Sequence, residues 1–327
     1  MSLVDISIII PTYNRLWALP KAIDSCRKTK CSHEIIVVDD GSTDGTQEWL
    51  NDQKDLVILR LENWGKDWAV NAGLARAKGK YVRFLDSDDW LLEKTCDAQL
   101  IIAEANESDV VVAGYQVYHE LTGEIQAKPW IHCDDFISQQ LGECDSSHYS
   151  AYLFKKACVE KIPHRQEFGA LDDRMFIIET ALQHPKVSVY DQPAFVHRHH
   201  KKQRLQFAVG MREIVKNVQH LKLYQKAASI LDKNNEFTQR RKDAIAKALW
   251  PLAHWIARTH VDEGVEVEKW IYCLNPRFQP PEKGLLGILY RRLGFRVTEN
   301  LLSLRRSILW LSRVVVLRSG RKSDRAG

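Results

Sequence analysis

Gly79-Lys80-Tyr81-Val82-Arg83-Phe84-Leu85-Asp86-Ser87-Asp88-Asp89-Trp90 is an apolar run that ends in three carboxylates within four positions. A strand that delivers Asp86, Asp88 and Asp89 to its exposed end makes a hard-oxygen site, suited to a divalent cation and a phosphate-bearing ligand. Asp and Ser are also common turn residues, so the same stretch reads as a solvated loop that caps a following helix. The rest of the chain decides between the two.

Upstream, Val4 to Ile10 is a β-branched run ended by Pro11, and Glu34 to Val38 is another, ended by Asp39-Asp40-Gly41. Between them, Leu16 to Lys28 carries apolar residues at helical spacing (Leu16, Leu19, Ala22, Ile23, Cys26). Ser42-Thr43-Asp44 supplies capping chemistry for a helix through Trp49 and Leu50. The pattern predicts further strands over 56–61, 81–85 and 110–117, with helices over 66–78 and 92–106. Strands alternating with helices indicate an α/β fold with a doubly wound, mainly parallel sheet, whose ligands sit beyond the carboxyl ends of the strands. Pro11-Thr12-Tyr13-Asn14, Asp39-Asp40 and Asp86-Ser87-Asp88-Asp89 then share one edge, which independent solvated loops would have no reason to do.

Downstream the pattern is less regular. It predicts a hairpin near 121–124, loops through 132–150, a strand over 149–154, a helix opening at Leu171-Asp172-Asp173 and ending near Gln183, and two strands over 187–190 and 194–197. From Gln203 onward the chain reads as helices, broken at Gly264, Pro276, Pro280-Pro281 and Gly284.

Composition is ordinary for a globular protein, at 45% hydrophobic and 27% charged residues over 327 positions. Seven cysteines, an odd number without a Cys-x-x-Cys pair, and no secretory leader before the first strand are the expectation for a reducing cytoplasm with idle thiols. The formal net charge of +5 is uneven: residues 285–327 hold ten Arg or Lys against Glu299 and Asp324, or +8, leaving −3 for the rest.

Several of these segments together resemble the family 2 nucleotide-sugar glycosyltransferases of GT-A fold. The resemblance covers about residues 4–200 and is carried by Ile8-Ile9-Ile10-Pro11-Thr12-Tyr13-Asn14-Arg15, Ile35-Ile36-Val37-Val38-Asp39-Asp40-Gly41-Ser42-Thr43-Asp44, Asn63-Trp64-Gly65, Asn71-Ala72-Gly73, Gly79-Lys80-Tyr81 and Phe84-Leu85-Asp86-Ser87-Asp88-Asp89. It implies a GT-A domain over about 1–202, with a nucleotide-sugar half to about 118 and an acceptor half after it, then a helical region over 203–327.

Position by position, the resemblance implies that Pro11 and Tyr13 shape the base pocket and that Asp40 accepts a hydrogen bond from the base, with Thr12 and Asp39 supporting that loop. Asp86 falls near the ribose and metal, and Asp88 coordinates Mn2+ or Mg2+ on the diphosphate. Asp89 is expected to cap the following helix. Asp173, beside Asp172, matches the base that deprotonates the acceptor hydroxyl. Arg198 matches a diphosphate contact and His200 a metal or phosphate contact, whereas His199, Lys201 and Lys202 read as a solvated basic turn. One departure is clear: where the family often has Ala-Arg-Asn, this chain has Ala69-Val70-Asn71. Lys66 and Arg83 are the candidates to replace that arginine.

The implied activity is a metal-dependent, inverting, hexosyltransferase-type transfer from a nucleotide-sugar donor, with a UDP-sugar as the expected donor, to a glycan or glycolipid acceptor, in the setting of bacterial surface polysaccharide assembly. Two rivals are a phosphotransfer domain of receiver or haloacid-dehalogenase type, prompted by Val38-Asp39-Asp40, and a non-catalytic scaffold of the same fold. In the tail, Leu301, Leu304, Ile308, Leu311 and Val315 fall on one stripe, with Arg305, Arg306 and Arg313 on another face. That pattern over 298–325 suits peripheral contact with the inner face of the cytoplasmic membrane. No nucleic-acid module accompanies the charge, and nothing in the sequence fixes the oligomeric state.

Overall fold

The computed structural model describes residues 4–201 and 211–323, with side chains described over 4–201 and 213–306. The chain begins with β1 (Ile6–Thr12), α1 (Leu19–Arg27), β2 (His33–Asp39), α2 (Thr46–Asn51), β3 (Val57–Arg60), α3 (Lys66–Arg76) and β4 (Tyr81–Phe84). It continues through a two-residue β5 (Trp90–Leu91), α4 (Thr95–Ala105), a hairpin of β6 (Val110–His119) and β7 (Glu124–Lys128), and α5 (Phe136–Leu141). Then come β8 (Leu153–Lys155), α6 (Lys156–Val159), α7 (Asp172–Ala181) and β9 (Val187–His199). The last described helices are α8 (Met211–Lys233), α9 (Gln239–Ala257), α10 (Val261–Leu274) and α11 (Gly284–Ser323), which is broken at Gly294, φ 76°.

The sheet runs β3-β2-β1-β4-β8-β6-β9-β5, with β7 on β6. β1 to β4 are parallel, and β6 and β9 regain their direction across the antiparallel β8. Six of nine strands therefore run one way, as the alternating pattern predicts, and the antiparallel members are β5, β7 and β8. Every residue of β1 is buried, as are the last five of β2. That is what a continuous apolar run forms when helices cover both faces of a parallel sheet. Each such Ile or Val contributes on the order of 1.5–3 kcal/mol.

Two glycines set how closely the chain packs around β1. A Cβ on Gly73 of α3 would lie 2.5 Å from the Ile9 side chain, and one on Gly79 would lie 2.5 Å from the Ser7 backbone nitrogen. These contacts lock α3 and the start of β4 against β1, and so fix the path of the chain beyond each. At the carboxyl edge Thr12 pairs with Asp39, and the Leu85 N–H donates to Ile9 O at 3.0 Å. Tyr13, Asp40 and Asp86 thus emerge together.

The structure differs from the sequence pattern in several places. Residues 132–150 are not all loop, because Asp135 caps α5 by accepting from the Ser138 N–H. Residues 149–154 divide into a 3-10 turn (Tyr149–Ala151) and β8. The two strands expected over 187–197 are one, β9, whose register to β6 shifts at Gly114 where Pro193 enters, a bulge position that a proline tolerates. A second apolar core joins Ile137 and Leu141 of α5 and Met175 and Ile178 of α7 to α8 through α11, while Phe176 and Ile177 of α7 face the sheet core. α7 is therefore wedged between two cores, an arrangement that holds its first turn rigidly.

Candidate active site

Three loops at the carboxyl edge tie to one another. Asn14 takes a left-handed conformation, φ 53°, which asparagine tolerates. Its N–H donates to Ser42 Oγ at 2.9 Å and its Oδ1 accepts the Thr43 N–H at 2.7 Å. Asp39 accepts the Ser42 N–H at 3.1 Å. Asp40 accepts the Trp64 and Gly65 N–H groups at 2.7 and 2.8 Å, which fastens the β3–α3 loop beside Tyr13. Pro11 and Thr12 are buried, Thr12 Oγ1 has no partner among the described residues, and Tyr13 is 42% exposed.

The centre of the site is a lysine between two carboxylates. Lys66 Nζ stands 2.9 Å from Asp86 Oδ1 and 2.9 Å from Asp173 Oδ2, with all three side chains about a quarter exposed. Burial alone would raise the Asp86 pKa, but Lys66 outweighs it and holds Asp86 at about 2. For Asp173 burial wins over Lys66, and its carboxyl is pushed above the usual range. Lys66 itself, which burial would lower, is carried well above its usual value by Asp173 and Asp86.

Below Asp173 lies a buried relay. Asp172 accepts the Arg165 N–H at 2.7 Å and pairs through its other oxygen with His164 Nδ1, while His164 Nε2 meets Tyr149 OH at 2.8 Å. The His164 ring stacks on Phe176 at 4.4 Å, and the Asn71 amide brackets the His164 backbone at 2.8 and 2.9 Å. Asn71 thereby connects helix α3 to the turn that presents Asp173. Tyr149 and His164 carry no local signal in the sequence, since neither sits in a recognisable spacing with Asp172.

On the other side, Asp88 Oδ2 meets His200 Nε2 at 2.9 Å, with Arg15 Nε at 3.9 Å. His200 is buried edge-on against Trp17 at 4.9 Å, and its Nδ1 has no partner among the described residues. A carboxylate oxygen and an imidazole nitrogen converging in this way fit a borderline-hard divalent cation. Arg198 lies with its guanidinium 4.7 Å over Trp17 and pairs with Glu120.

Asp89 does not cap the following helix. Its oxygens accept from His197 Nδ1 at 3.0 Å and the Arg198 N–H at 2.8 Å, strapping the aspartate loop to β9, and burial pushes its pKa to about 6. Asp89, His197 and His148 also bring three ligand atoms within 4.8 Å of one another. His199 is not in a solvated turn either: it belongs to β9 and packs against His119 and His197. Lys201 is exposed, and Lys202 lies outside the described residues. Arg83 is fully buried on Ser150 O and Gln99, which removes it as a replacement for the missing arginine and leaves Lys66. Asp39 and Asp40 are likewise buried with their carboxylates engaged, which disfavours a phosphate-accepting aspartate there.

The family model described as Glycosyl transferase family 2 matches residues 7–161. Those residues form a family 2 glycosyltransferase domain. Among curated relatives, "Putative glycosyltransferase EpsH" of Bacillus subtilis is 25% identical over 73% of this chain and 72% of its own length. "Putative teichuronic acid biosynthesis glycosyltransferase TuaG" of the same organism is 41% identical over 96 residues, 27% of this chain and 38% of TuaG. Among solved structures, S. aureus TarS 1-349 in complex with UDP-GlcNAc shares 18% identity at a TM-score of 0.55, over 93% of this chain and 92% of that one. The likeness to TarS extends the shared fold past the glycosyltransferase domain into α8 to α11, which the family model does not reach. The matched stretch holds Asp40, Lys66, Asp86 and Asp88, whereas Asp173, Arg198 and His200 lie beyond residue 161.

Among the described residues no helix is long and apolar enough to cross a membrane. Leu301 and Leu304 of α11 are exposed, and Arg306 pairs with Glu299 at 3.6 Å. The side chains of Ile308, Leu311, Arg313 and Val315 lie outside the described residues.

Proposed function

We propose that the chain is a metal-dependent, inverting glycosyltransferase that moves a sugar from a nucleoside diphosphate donor to a hydroxyl of a growing glycan or lipid-linked acceptor. The observation that carries this reading is the placement of Asp86, Asp88 with His200, and Asp173 around one edge of the sheet, with Lys66 joining Asp86 to Asp173. Pro11 and Tyr13 border the nucleotide base. Asp40 keeps lone pairs for a base N–H beyond the two backbone donors it already holds. Thr12 and Asp39 support that pocket, Asp86 sits by the ribose, and Arg198 turns from Glu120 toward the diphosphate.

Asp88 and His200 would hold the cation, and their mixed oxygen and nitrogen set favours Mn2+ over Mg2+. When bound, the ion supplies charge neutralisation for the departing nucleoside diphosphate. A hydroxyl is a poor nucleophile until its proton is taken. Asp173, raised in pKa by burial, accepts that proton as the oxygen attacks from the face opposite the leaving group, which inverts the anomeric centre. Asp172 fixes the turn that presents Asp173.

TarS was solved with UDP-GlcNAc, so a UDP-sugar leads the donor candidates. The name of TuaG supports bacterial surface polysaccharide assembly as the setting. A cytoplasmic enzyme with its basic 298–325 segment on the inner face of the membrane would meet a lipid-linked acceptor there. The test is a panel of nucleotide sugars followed by thermal shift with and without Mn2+. A donor at about 100 times its dissociation constant adds about 2.7 kcal/mol of apparent stability, and Asp88→Ala removes the Mn2+-dependent part. No stabilisation by any nucleotide sugar with Mn2+ would refute the reading.

A further inference from the structure

Lys66 breaks a local rule. It is the first residue of α3, where the helix macrodipole disfavours a cation, and Gly65 before it supplies no side-chain cap. Positions where local preference is overridden tend to be functional or strained. Here the ammonium is held by Asp86, just past the end of β4, and by Asp173, from the first turn of α7, each at 2.9 Å. One side chain thus ties the donor edge of the sheet to the acceptor base.

That tie is unsuited to catalysis as it stands. A carboxylate with an ammonium at hydrogen-bond distance is a weaker base than the same carboxylate without it, so Lys66 offsets part of what burial gives Asp173. The lysine side chain is a flexible four-carbon stem bearing a compact charge, and it can change partner without moving the backbone. It is also about a quarter exposed, so an anion entering over Asp86 can reach it.

Resting on the glycosyltransferase reading above, we propose that Lys66 is a donor-responsive clamp. Without donor it holds Asp86 to Asp173; the diphosphate of the donor takes its ammonium, and Asp173 is released to accept the proton of the acceptor hydroxyl. No bond is made or broken in this exchange and Lys66 stays protonated throughout. Its consequence is that the base is armed only where a donor is already bound.

The test is calorimetric titration of UDP with Mn2+, and of GDP as a second probe, into the full chain and its variants. Because Asp173 competes with the diphosphate for Lys66, Asp173→Asn tightens nucleotide binding several-fold. Lys66→Ala weakens it about tenfold or more, the loss of one charge-assisted hydrogen bond, and Lys66→Arg retains most of it. In the Lys66→Ala background the Asp173→Asn change brings no tightening, which a merely structural lysine would not produce. Thermal melts establish that each variant is folded, and Lys66→Met replaces Lys66→Ala if the latter is not. Unchanged or weaker binding in Asp173→Asn, or tightening that persists without Lys66, overturns the clamp while leaving the nucleotide site intact. A wild-type chain that binds neither UDP nor GDP overturns the clamp together with the reading on which it rests.

Discussion

Replacing Asp172 should separate two costs that are visible in its surroundings. Its carboxylate is buried, with one oxygen on His164 Nδ1 and the other accepting the Arg165 N–H at 2.7 Å. Asp172→Ala strands both donors in a closed pocket, and losing two hydrogen bonds to a charged acceptor, at about 1.5–3 kcal/mol each, costs about 3–6 kcal/mol. Asp172→Asn keeps one oxygen for the Arg165 N–H and turns an amide N–H toward His164. The imidazole can answer by moving its proton to Nε2 and donating to Tyr149 OH, so the ring stays in place. The remaining loss is one charge-assisted bond, about 1.5–3 kcal/mol. Urea unfolding of the two variants is therefore expected to give a ladder, with Asn about halfway between wild type and Ala. Tyr149→Phe in the Asp172→Asn background should cost more than in wild type, because it removes the acceptor that the shifted tautomer needs. Asp172→Ala with wild-type stability, or Asn and Ala equal, would refute the relay.

Other consequences can be measured separately. Burial, and next the charge of Asp172, raise Asp67 to about 6, so its stabilising contribution is present below pH 4 and lost as pH rises through 6. Asp67→Asn should then match wild type near pH 4 and exceed it at pH 8 by about 1.5 kcal/mol, half the roughly 3 kcal/mol of an unscreened two-unit shift. Equal melting temperatures at pH 8 would contradict it. Gly73→Ala forces a methyl to 2.5 Å from Ile9 and should lower stability by about 1–3 kcal/mol in urea, with loss of the α3–β1 contact. Among the seven free thiols Cys273 is exposed and Cys26 buried, with burial pushing the Cys26 thiol well up. A thiol reagent should label Cys273 in seconds to minutes and reach Cys26 only on unfolding; early labelling of Cys26 would contradict the core assignment.

How much of the fold and the site is legible from the residues varies along the chain. β1 and β2 declare themselves because their buried faces leave β-branched runs in the sequence, and β4 because Tyr81, Val82 and Phe84 are buried in a short run before the aspartates. Their ends place Tyr13, Asp40 and Asp86 together without further information. α5 is hidden because it is six residues long and owes its start to one capping aspartate amid polar residues. β9 reads as two strands because Pro193 interrupts the pattern, and only the register shift against β6 shows that the ladder resumes. Asp89 misleads for a related reason: an aspartate before a helix looks like a cap, and its partners on β9 lie more than a hundred residues away. Sequence separation also conceals the Asp172–His164–Tyr149 relay and the role of Lys66, which depend on pairings that no local spacing encodes.

The central claim is that Asp173 does the base work at a nucleotide-sugar site built on Asp86 and Asp88. Its most direct test is the initial rate of sugar transfer, with Mn2+ and the donor selected by thermal shift, for Asp173→Asn beside wild type. The account predicts a rate lower by about 10²–10⁴ with nucleotide bound at least as tightly as by wild type. Asp173→Asn transferring sugar at the wild-type rate would contradict it.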